Sequence, residues 1–587
     1  MMGSKTNYVG LACSGHDNAI VIVGDDGELR FAEAAERYLQ NKRSISSPPD
    51  DLIRTDQLIG AYCDPGARLV VARSWSDRAA GILETEDAYT AELLDQARVV
   101  GVFPRALEVL EEYRHTLALV GRSIEYAGSG VAYSRIWEQE GCPQEIMRVA
   151  YDHHLTHAAA GCLSSPFDEA VCAIVDGFGE GTSCSYYVYR GGMLEPIEQP
   201  RRKPGEMGRS LGVFYRDLCR WCGFHPWKGE EWKVMGLAAY GKRDDRLHDL
   251  MRQCIAVDGL RIVHPDEATD AALQLAEMSR APSTPVIDAA DLAHTGQLVY
   301  CELMRELLSN LHTLGLSNNL VLGGGCALNS AWNGRILAET GFEQLHVQSA
   351  PGDDGAALGA DLLAYRERNP GAAPHASWRS PYLGSTMSER TLERMDALGR
   401  IPNTSVWPGN VHEQAARLLA EGKIIGWVQG RAEFGPRALG NRSILADPRP
   451  ADMKDRINAA VKFREEYRPF APAILHESGP EYFVDYRESP YMERTLYFVD
   501  SARGRVPAVV HADGTGRVQS VTRAGNPRFY DLIRAFEKIT GVPIVLNTSF
   551  NVMGKPIIHS VEDALGVFYT TGLDALVIGD RLIVKDP

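Results

Sequence analysis

Two stretches of the chain, about 160 residues apart, follow the same predicted order of elements. Each has a strand, a small polar turn, a second strand, a hairpin and a third strand. The first runs over residues 8–33, and the second runs from 170 past the hairpin at Gly191-Gly192. Asp-Gly and Gly-Gly pairs favour such hairpins. One architectural unit is therefore predicted twice, as a structural repeat rather than a strong sequence repeat.

Duplicated units of this kind, each opening in a small polar loop, are typical of the two-lobed α/β domains of the actin–hexokinase–chaperone (ASKHA) superfamily, which grip nucleotide phosphates between the lobes. A later segment favours the same fold, because a strand at 319–322 runs into Gly323-Gly324-Gly325 and then a helical stretch at 330–337. Glycines between a strand and a helix let backbone N–H groups approach a phosphate. A tight packing turn is the alternative interpretation of these glycines.

The Ala-rich stretch after Asp152 predicts a helix, since Ala has the highest intrinsic helix propensity and Pro166 ends the pattern. Four residues apart, His153 and His157 lie on one face of that helix and can hold one metal ion. The buried strand that follows ends at Asp176, a candidate third ligand. A pair of helix histidines with purely structural partners is the alternative.

Composition limits the classes of protein that the chain can belong to. At 587 residues it predicts two to four domains, and the 44% hydrophobic content is that of a globular protein. No apolar run approaches the ~20 residues of a membrane helix, and we find no secretory signal. The net charge of −16 argues against a nucleic-acid surface. Eleven scattered cysteines without CxxC spacing favour the cytoplasm.

The charge balance reverses locally in the last third of the chain. Between Arg431 and Arg468 there are nine Lys and Arg residues against six Asp and Glu residues. Guanidinium groups match phosphate or carboxylate oxygens in pairs, so the segment predicts an anion pocket. A solvated face of salt bridges is the alternative. Residues 366–400, rich in Pro, Arg, Ser and Gly, are expected to form a linker or domain boundary.

Ten short motifs, in order along nearly the whole chain, resemble the carbamoyltransferases of natural-product biosynthesis, the NodU/CmcH-type O-carbamoyltransferases that act on antibiotics and nodulation factors. The motifs are Gly15-His16-Asp17, Ala35-Glu36-Arg37, His153-His154-Leu155-Thr156-His157-Ala158, Val175-Asp176-Gly177, Lys233-Val234-Met235-Gly236-Leu237-Ala238, Gly324-Gly325 with Asn329 and Asn333, Asp354-Gly355, Gly435-Pro436-Arg437-Ala438-Leu439-Gly440, Arg468-Pro469-Phe470-Ala471-Pro472 and Leu546-Asn547-Thr548-Ser549-Phe550-Asn551.

The resemblance implies an α/β protein with two domains. Residues 1–365 would form a two-lobed actin-like carbamoyl-transfer domain with a metal site, 366–400 the boundary, and 401–587 a YrdC-like α/β domain. It also implies two chemical steps. Carbamoyl phosphate and ATP, with Mg(II), would form carbamoyl-adenylate in the C-terminal domain, and a hydroxyl of a small acceptor would take the carbamoyl group in the N-terminal domain.

Site residues follow from the same match. Carbamoyl phosphate and ATP are assigned to Arg437, Lys462, Arg468, Arg517 and Ser549. A divalent metal is assigned to His153, His157, Asp176 and Asp354. Two imidazoles with two carboxylates suit Fe(II), our preferred metal, or Zn(II) or Mn(II). Gly324, Gly325 and Asn329 are candidates for the nucleotide cradle. His16 is the candidate base for the acceptor hydroxyl, with substrate positioning as the alternative role.

Two other functions share these folds. A tRNA threonylcarbamoyl-type modification enzyme would need a basic surface, which the acidic balance opposes. A metal- and nucleotide-binding ASKHA ATPase or regulator would have no need of the basic segment around Arg437. The expected partner is therefore a small hydroxylated molecule, with no stable nucleic acid and no membrane, in a chain that could form a homodimer.

Overall fold

The computed structural model describes residues 5–100, 104–137, 146–199, 210–399 and 401–586. Its N-terminal part contains two five-stranded sheets. The first sheet has the strand order Leu29–Ala34, Ala19–Val23, Thr6–Ala12, Arg68–Arg73, Ile146–Ala150. The second has the order Met193–Ile197, Cys184–Arg190, Glu169–Val175, Asn319–Gly323, Gln344–His346.

Both sheets share one topology. In each, the first three strands along the chain are antiparallel neighbours, and two further strands join the edge of the first strand in parallel. This common order confirms the predicted duplication and gives the N-terminal part its two-lobed, actin-like architecture. The second strand of the second unit runs over Cys184–Arg190, directly before the predicted hairpin at Gly191-Gly192.

Two crossing helices connect the lobes. The Ala-rich helix begins at His153, after Asp152 caps it by accepting from the Leu155 N–H, and ends at Leu163. It packs against the helix Asp353–Arg368. A Cβ on Gly359 would lie 1.7 Å from the Thr156 carbonyl oxygen, so this crossing requires glycine. The crossing brings the beginnings of both helices to one point between the lobes.

The helices of this part cover the two sheets and extend the second lobe. They are Ala35–Leu39, Leu52–Tyr62, Ala79–Val100, Pro104–Tyr126, Ser129–Trp137, His153–Leu163, Leu211–Trp221, Glu231–Ala238, Asp245–Cys254, Ala268–Glu277, Ala290–His312, Ser330–Asn333, Ile336–Glu339 and Asp353–Arg368. A two-stranded sheet pairs Ala256–Asp258 with Arg261–Val263.

The C-terminal part is also α/β and is organised around one nine-stranded mixed sheet. Its order is Thr404–Val406, Arg581–Val584, Ala575–Ile578, Ile425–Val428, Arg442–Ala446, Ile544–Ser549, Ala471–Leu475, Thr515–Val521, Arg494–Tyr497. Its helices are Glu389–Arg394, Val411–Ala420, Met453–Ile457, Gly479–Tyr482, Asp500–Arg503, Pro527–Thr540 and Val561–Thr570. One hydrophobic cluster between Met387 and Ile583 forms its core.

The interval 366–400 contains regular structure. The strand Tyr382–Thr386 lies in it and pairs with Arg431–Glu433, and the helix Glu389–Arg394 follows. The domain limits at 365 and 401 stay a prediction. In the described part of the chain, no helix is both long enough and apolar enough to cross a lipid bilayer.

Candidate functional site

The two histidines of the Ala-rich helix point into one buried space between the lobes. Both are almost fully buried, and their Nε2 atoms lie 3.3 Å apart. The His153 Nδ1 lies 3.2 Å from the carbonyl oxygen of Ser74, so an Nδ1–H donates there and Nε2 faces the space. The Trp75 indole stacks on the His153 ring, with 4.4 Å between the centroids. Packing therefore fixes the ring orientation.

Asp176 joins the histidines as predicted, because it is the first residue after the strand Glu169–Val175. Its Oδ2 lies 3.3 Å from His153 Nε2 and 3.7 Å from His157 Nε2. Its Oδ1 accepts from the Gly325 N–H at 2.9 Å. Gly324 has φ 85°, and a Cβ there would lie 2.4 Å from the Val175 carbonyl oxygen. Both glycines therefore serve to hold the Asp176 carboxylate in place.

The fourth member of the cluster is Asp353, and the structure places Asp354, the predicted ligand, outside the cluster. Asp353 Oδ1 lies 3.5 Å from His157 Nε2 and 3.8 Å from His153 Nε2. Ligand atoms of His153, His157, Asp176 and Asp353 all lie within 4.8 Å of one another. Asp354 is the next residue of the helix, about 100° further around its axis. Its Oδ1 accepts instead from the Gly355 N–H.

Charges in this cluster support one another. Burial alone would lower the pKa of His153, but the hydrogen bond to Asp176 and the charge of Asp353 outweigh it and raise the pKa to about 9. Burial disfavours the Asp176 carboxylate, yet His153 and His157 hold its pKa well below the ordinary value. By contrast, burial together with Asp17 and Glu36 raises the pKa of Asp354 to about 8. Two imidazoles and two carboxylates suit a divalent transition metal.

His16 lies beside this cluster, on the first loop of the other lobe. Its Nδ1 is 3.1 Å from Asp17 Oδ2 and 3.7 Å from Asp353 Oδ2. Arg43 holds Asp17 through Nε at 3.0 Å and Nη2 at 2.8 Å. Burial opposes the Asp17 carboxylate, but Arg43 and His16 hold its pKa well below the ordinary value. His16 is thus fixed through Nδ1 and connected to a member of the buried cluster.

The predicted nucleotide cradle is only partly exposed to the open space. Gly325 and Asn329 line a large cavity, whereas Gly324 is buried behind Gly325. Asn329 caps the helix Ser330–Asn333 through its Oδ1 and exchanges hydrogen bonds with Gln297. Of the three, Gly325 and Asn329 can therefore contact a ligand, and Gly324 acts through the turn.

A second cluster, of cationic side chains, lies on the nine-stranded sheet and its loops. Arg437 follows the turn at Gly435, where φ is 113° and a Cβ would lie 2.1 Å from the Ser349 carbonyl oxygen. Lys462 donates to the Ser549 carbonyl oxygen and, at 2.7 Å, to Asn551 Oδ1. Arg517 projects from the strand Thr515–Val521. Lys462 and Ser549 are therefore adjacent, as predicted.

Arg437, Lys462 and Arg517 lack anionic partners within the described residues, whereas Arg468 Nη1 lies 3.2 Å from Glu465 Oε2. Among the residues that the structure describes, the side chains of Arg437 and Arg517 make no hydrogen bond or ion pair, and Arg517 Nε is buried. Burial lowers the pKa of Arg437 to about 10. Burial, with Arg437 and Arg464 nearby, lowers the pKa of Arg517 well below the ordinary value. Burial and the neighbours Arg464 and Arg468 do the same for Lys462. Such a cluster is suited to bind polyanions.

Both clusters face one cavity of about 1150 Å³. Its wall includes His16, Asp176 and Asp353 at one end. At the other end its wall includes Arg437, Lys462, Arg468, Arg517 and Ser549. The sequence pattern did not identify the wall residues Arg43 and Trp232, which carry no local signal, whereas the wall residue Asn551 ends a quoted motif.

Comparisons with known proteins identify the family of the chain. A family model described as "Carbamoyltransferase N-terminus" matches residues 77–362, and "Carbamoyltransferase C-terminus" matches residues 416–585. The 3'-hydroxymethylcephem-O-carbamoyltransferase of Amycolatopsis lactamdurans is 33% identical over 81% of this chain and 89% of its own length.

The chain is also similar to a nodulation protein and to a solved structure. Nodulation protein NolNO of Sinorhizobium fredii is 37% identical over 76% of this chain. The match spans 66% of the NolNO protein. A structure of full-length HypF in the phosphate- and nucleotide-bound form covers 64% of this chain and 58% of its own, at 14% identity and a TM-score of 0.31. A structural similarity with so low a TM-score supports no conclusion about function.

Proposed function

The chain belongs to the carbamoyltransferase family and is an enzyme of that family, and from this premise we propose that it is an ATP-dependent O-carbamoyltransferase. The proposed reaction forms carbamoyl-adenylate from carbamoyl phosphate and ATP. It then transfers the carbamoyl group to a hydroxyl of a small natural-product acceptor. The observation that carries the proposal is the single cavity shared by the cationic cluster and the imidazole–carboxylate cluster.

Formation of the adenylate is proposed at the cationic end. Atom balance requires one water, which converts carbamoyl phosphate to carbamate and phosphate. A carbamate oxygen then attacks the α-phosphorus of ATP, and pyrophosphate leaves. Arg437, Arg517 and Lys462 would bind the phosphate oxygens of both substrates. Their unneutralised charges support this role, because positive groups in a confined space stabilise charge that develops on leaving phosphates. Holding both substrates also makes their encounter effectively intramolecular.

Transfer is proposed at the other end. His16 would accept the proton of the acceptor hydroxyl at Nε2, since contacts with Asp17 and Asp353 engage Nδ1. The hydroxyl oxygen would attack the carbamoyl carbon, and AMP would leave. A divalent metal held by His153, His157, Asp176 and Asp353, Fe(II) by preference, would supply Lewis acidity toward the adenylate phosphate. Gly325 and Asn329 would contact the nucleotide.

The proposed partners follow the same chemistry. The acceptor is a small hydroxylated molecule, and neither nucleic acid nor membrane takes part. The cytosol remains the predicted compartment, and a homodimer remains a prediction for the assembly.

The test measures pyrophosphate release from ATP with and without carbamoyl phosphate, in the absence of acceptor. We expect release only when carbamoyl phosphate is present, with one phosphate for each pyrophosphate. A metabolite extract is then added, and mass spectrometry searches for products that gain one carbamoyl unit. Pyrophosphate release that does not depend on carbamoyl phosphate would contradict the proposal. A filter-binding assay with tRNA separates it from a tRNA-modifying activity, for which binding is expected.

A further inference from the structure

The boundary between the two parts of the molecule contains one contact that directly concerns the cationic cluster. The Arg468 guanidinium lies over the face of the Trp232 indole, with 3.8 Å between Cζ and the ring centroid. Trp232 belongs to the helix Glu231–Ala238 of the N-terminal part, whereas Arg468 lies in the loop before the strand Ala471–Leu475. Both side chains line the shared cavity. An arginine of the cationic end of the cavity is thus held by a residue of the N-terminal part, which also carries the imidazole–carboxylate cluster.

The helix Glu231–Ala238 and the loop that contains Arg468 also contact each other through charged side chains. Lys233 Nζ lies 3.1 Å from Glu465 Oε1, and the other oxygen of Glu465 lies 3.2 Å from Arg468 Nη1. One turn after Trp232 stands Gly236, where a Cβ would meet the Pro469 ring at 3.5 Å. That distance is an ordinary van der Waals contact, so the loop lies directly against the helix at this position. The contact is therefore a built interface.

The stack leaves the edge of the guanidinium available. Trp232 contacts the face of Arg468, and Glu465 engages Nη1. Arg468 Nε is buried and has no hydrogen-bond partner among the described residues. A planar guanidinium held by its face presents its remaining N–H groups in a fixed fork toward oxyanions. Arginine and tryptophan make the favourable pair for such stacking.

We infer that Trp232 is a positioning residue that holds the Arg468 guanidinium in the orientation that binds an anionic substrate. A helix of the N-terminal part thereby completes the binding site for carbamoyl phosphate and ATP. This inference rests on the proposed function, because it takes Arg468 as a ligand of carbamoyl phosphate or ATP. The side chain of Trp232 itself offers no charge to the substrate. Its effect is on the orientation of Arg468, and it should therefore change substrate affinity more than turnover.

The experiment uses the full chain and measures pyrophosphate release without acceptor. Arg468→Ala first identifies which substrate Arg468 binds, as the one whose KM rises. Trp232→Leu removes the ring face and keeps an apolar side chain, and we expect it to raise the same KM about tenfold with a smaller change in kcat. Trp232→Phe keeps a smaller face, and we expect a rise of about threefold. Trp407→Leu, the same change at a tryptophan outside the cavity wall, should leave both constants unchanged.

A double variant separates positioning from a general structural role. In an Arg468→Ala background, Trp232→Leu should add less than about twofold, because the group that it positions is gone. An additive effect overturns the inference, as does an unchanged KM in Trp232→Leu alongside a raised KM in Arg468→Ala. If the Leu variant does not fold, the Phe variant decides, and an unchanged KM there overturns the inference. If Arg468→Ala changes the KM of neither carbamoyl phosphate nor ATP, that result instead contradicts the assignment of Arg468 to the substrate site in the proposed function.

Discussion

The two ends of the cavity hold their charges in opposite ways. At the imidazole–carboxylate end, His153 and Asp176 lie 3.3 Å apart, and each favours the charged form of the other. At the cationic end, Arg437 and Arg517 lack anionic partners among the described residues, and burial together with the charges of Arg437 and Arg464 lowers the pKa of Arg517. The first cluster pairs its own charges, and a divalent cation bound there would take the place of the imidazole protons. The second is unbalanced until an anion binds, which is the property expected of a polyanion site.

The largest effect is expected at the unbalanced end. Arg437→Ala removes a cation that has no anionic partner among the described residues, so pyrophosphate release should fall by about 10²–10³-fold. The measurement is the initial rate of release at saturating carbamoyl phosphate and ATP. Arg456→Ala, at an exposed arginine outside the cavity wall, is the matched control and should retain the wild-type rate. If pyrophosphate release stays near the wild-type rate in Arg437→Ala, the claim that the cationic end forms the adenylate is contradicted.

The other end should separate the two chemical steps. His157→Ala removes one imidazole of the buried cluster, and we expect carbamoylation of the acceptor to fall by about 10²-fold. Pyrophosphate release without acceptor should stay within about threefold of wild type, because His157 belongs to the imidazole–carboxylate cluster and is not among the wall residues of the cavity. His375→Ala, at an exposed histidine, serves as the control. Equal loss of both activities would show that the two ends do not have separate roles.

Metal content sharpens the assignment of the fourth ligand. Asp353→Asn removes a carboxylate charge from the cluster, and we expect the retained metal to fall by about tenfold or more. Asp354→Asn alters a carboxylate outside the cluster and should change it by less than about threefold. Inductively coupled plasma mass spectrometry of purified variants measures both. The reverse order would restore Asp354 as the ligand.

The smallest effects concern stability and should have opposite signs. In chelator-treated protein, Asp176→Asn leaves buried His153 without its main partner and should destabilise the fold by about 3 kcal/mol. Arg517→Met removes a partly buried cation that lacks a partner and should stabilise it by about 1 kcal/mol. Thermal melting of both variants beside wild type gives the comparison. Two shifts of the same sign would contradict the electrostatic contrast.

Sequence alone could predict those parts of the site that depend on local spacing. His153 and His157 are four residues apart on a helix, and Asp176 directly follows the next strand, so their meeting follows from the pattern. The choice between Asp353 and Asp354 depends on where the helix begins, and a shift of one residue turns the side chain by about 100°. Local sequence could not reveal that Gly325 holds Asp176.

Contacts between distant segments were beyond the reach of sequence patterns. The duplicated hairpins predicted the three antiparallel strands of each sheet in the N-terminal part, because each unit is continuous in the chain. Trp232 and Arg468 meet only once the two parts are folded and docked, and neither residue shows by its neighbours that it stacks on the other. The cavity itself arises in the same way, from loops that lie far apart in sequence.

The central claim is that one end of the cavity makes an adenylate which the other end consumes, and an isotope label tests it directly. Carbamoyl phosphate labelled with ¹⁸O at the carbonyl oxygen gives a carbamate with two equivalent oxygens, one of which bonds to the α-phosphorus. Attack of the acceptor on the carbamoyl carbon then leaves that oxygen on AMP. We predict ¹⁸O in about half of the AMP formed. Carbamoylated acceptor with unlabelled AMP would contradict the account, because the carbamoyl group would then have moved without an adenylate.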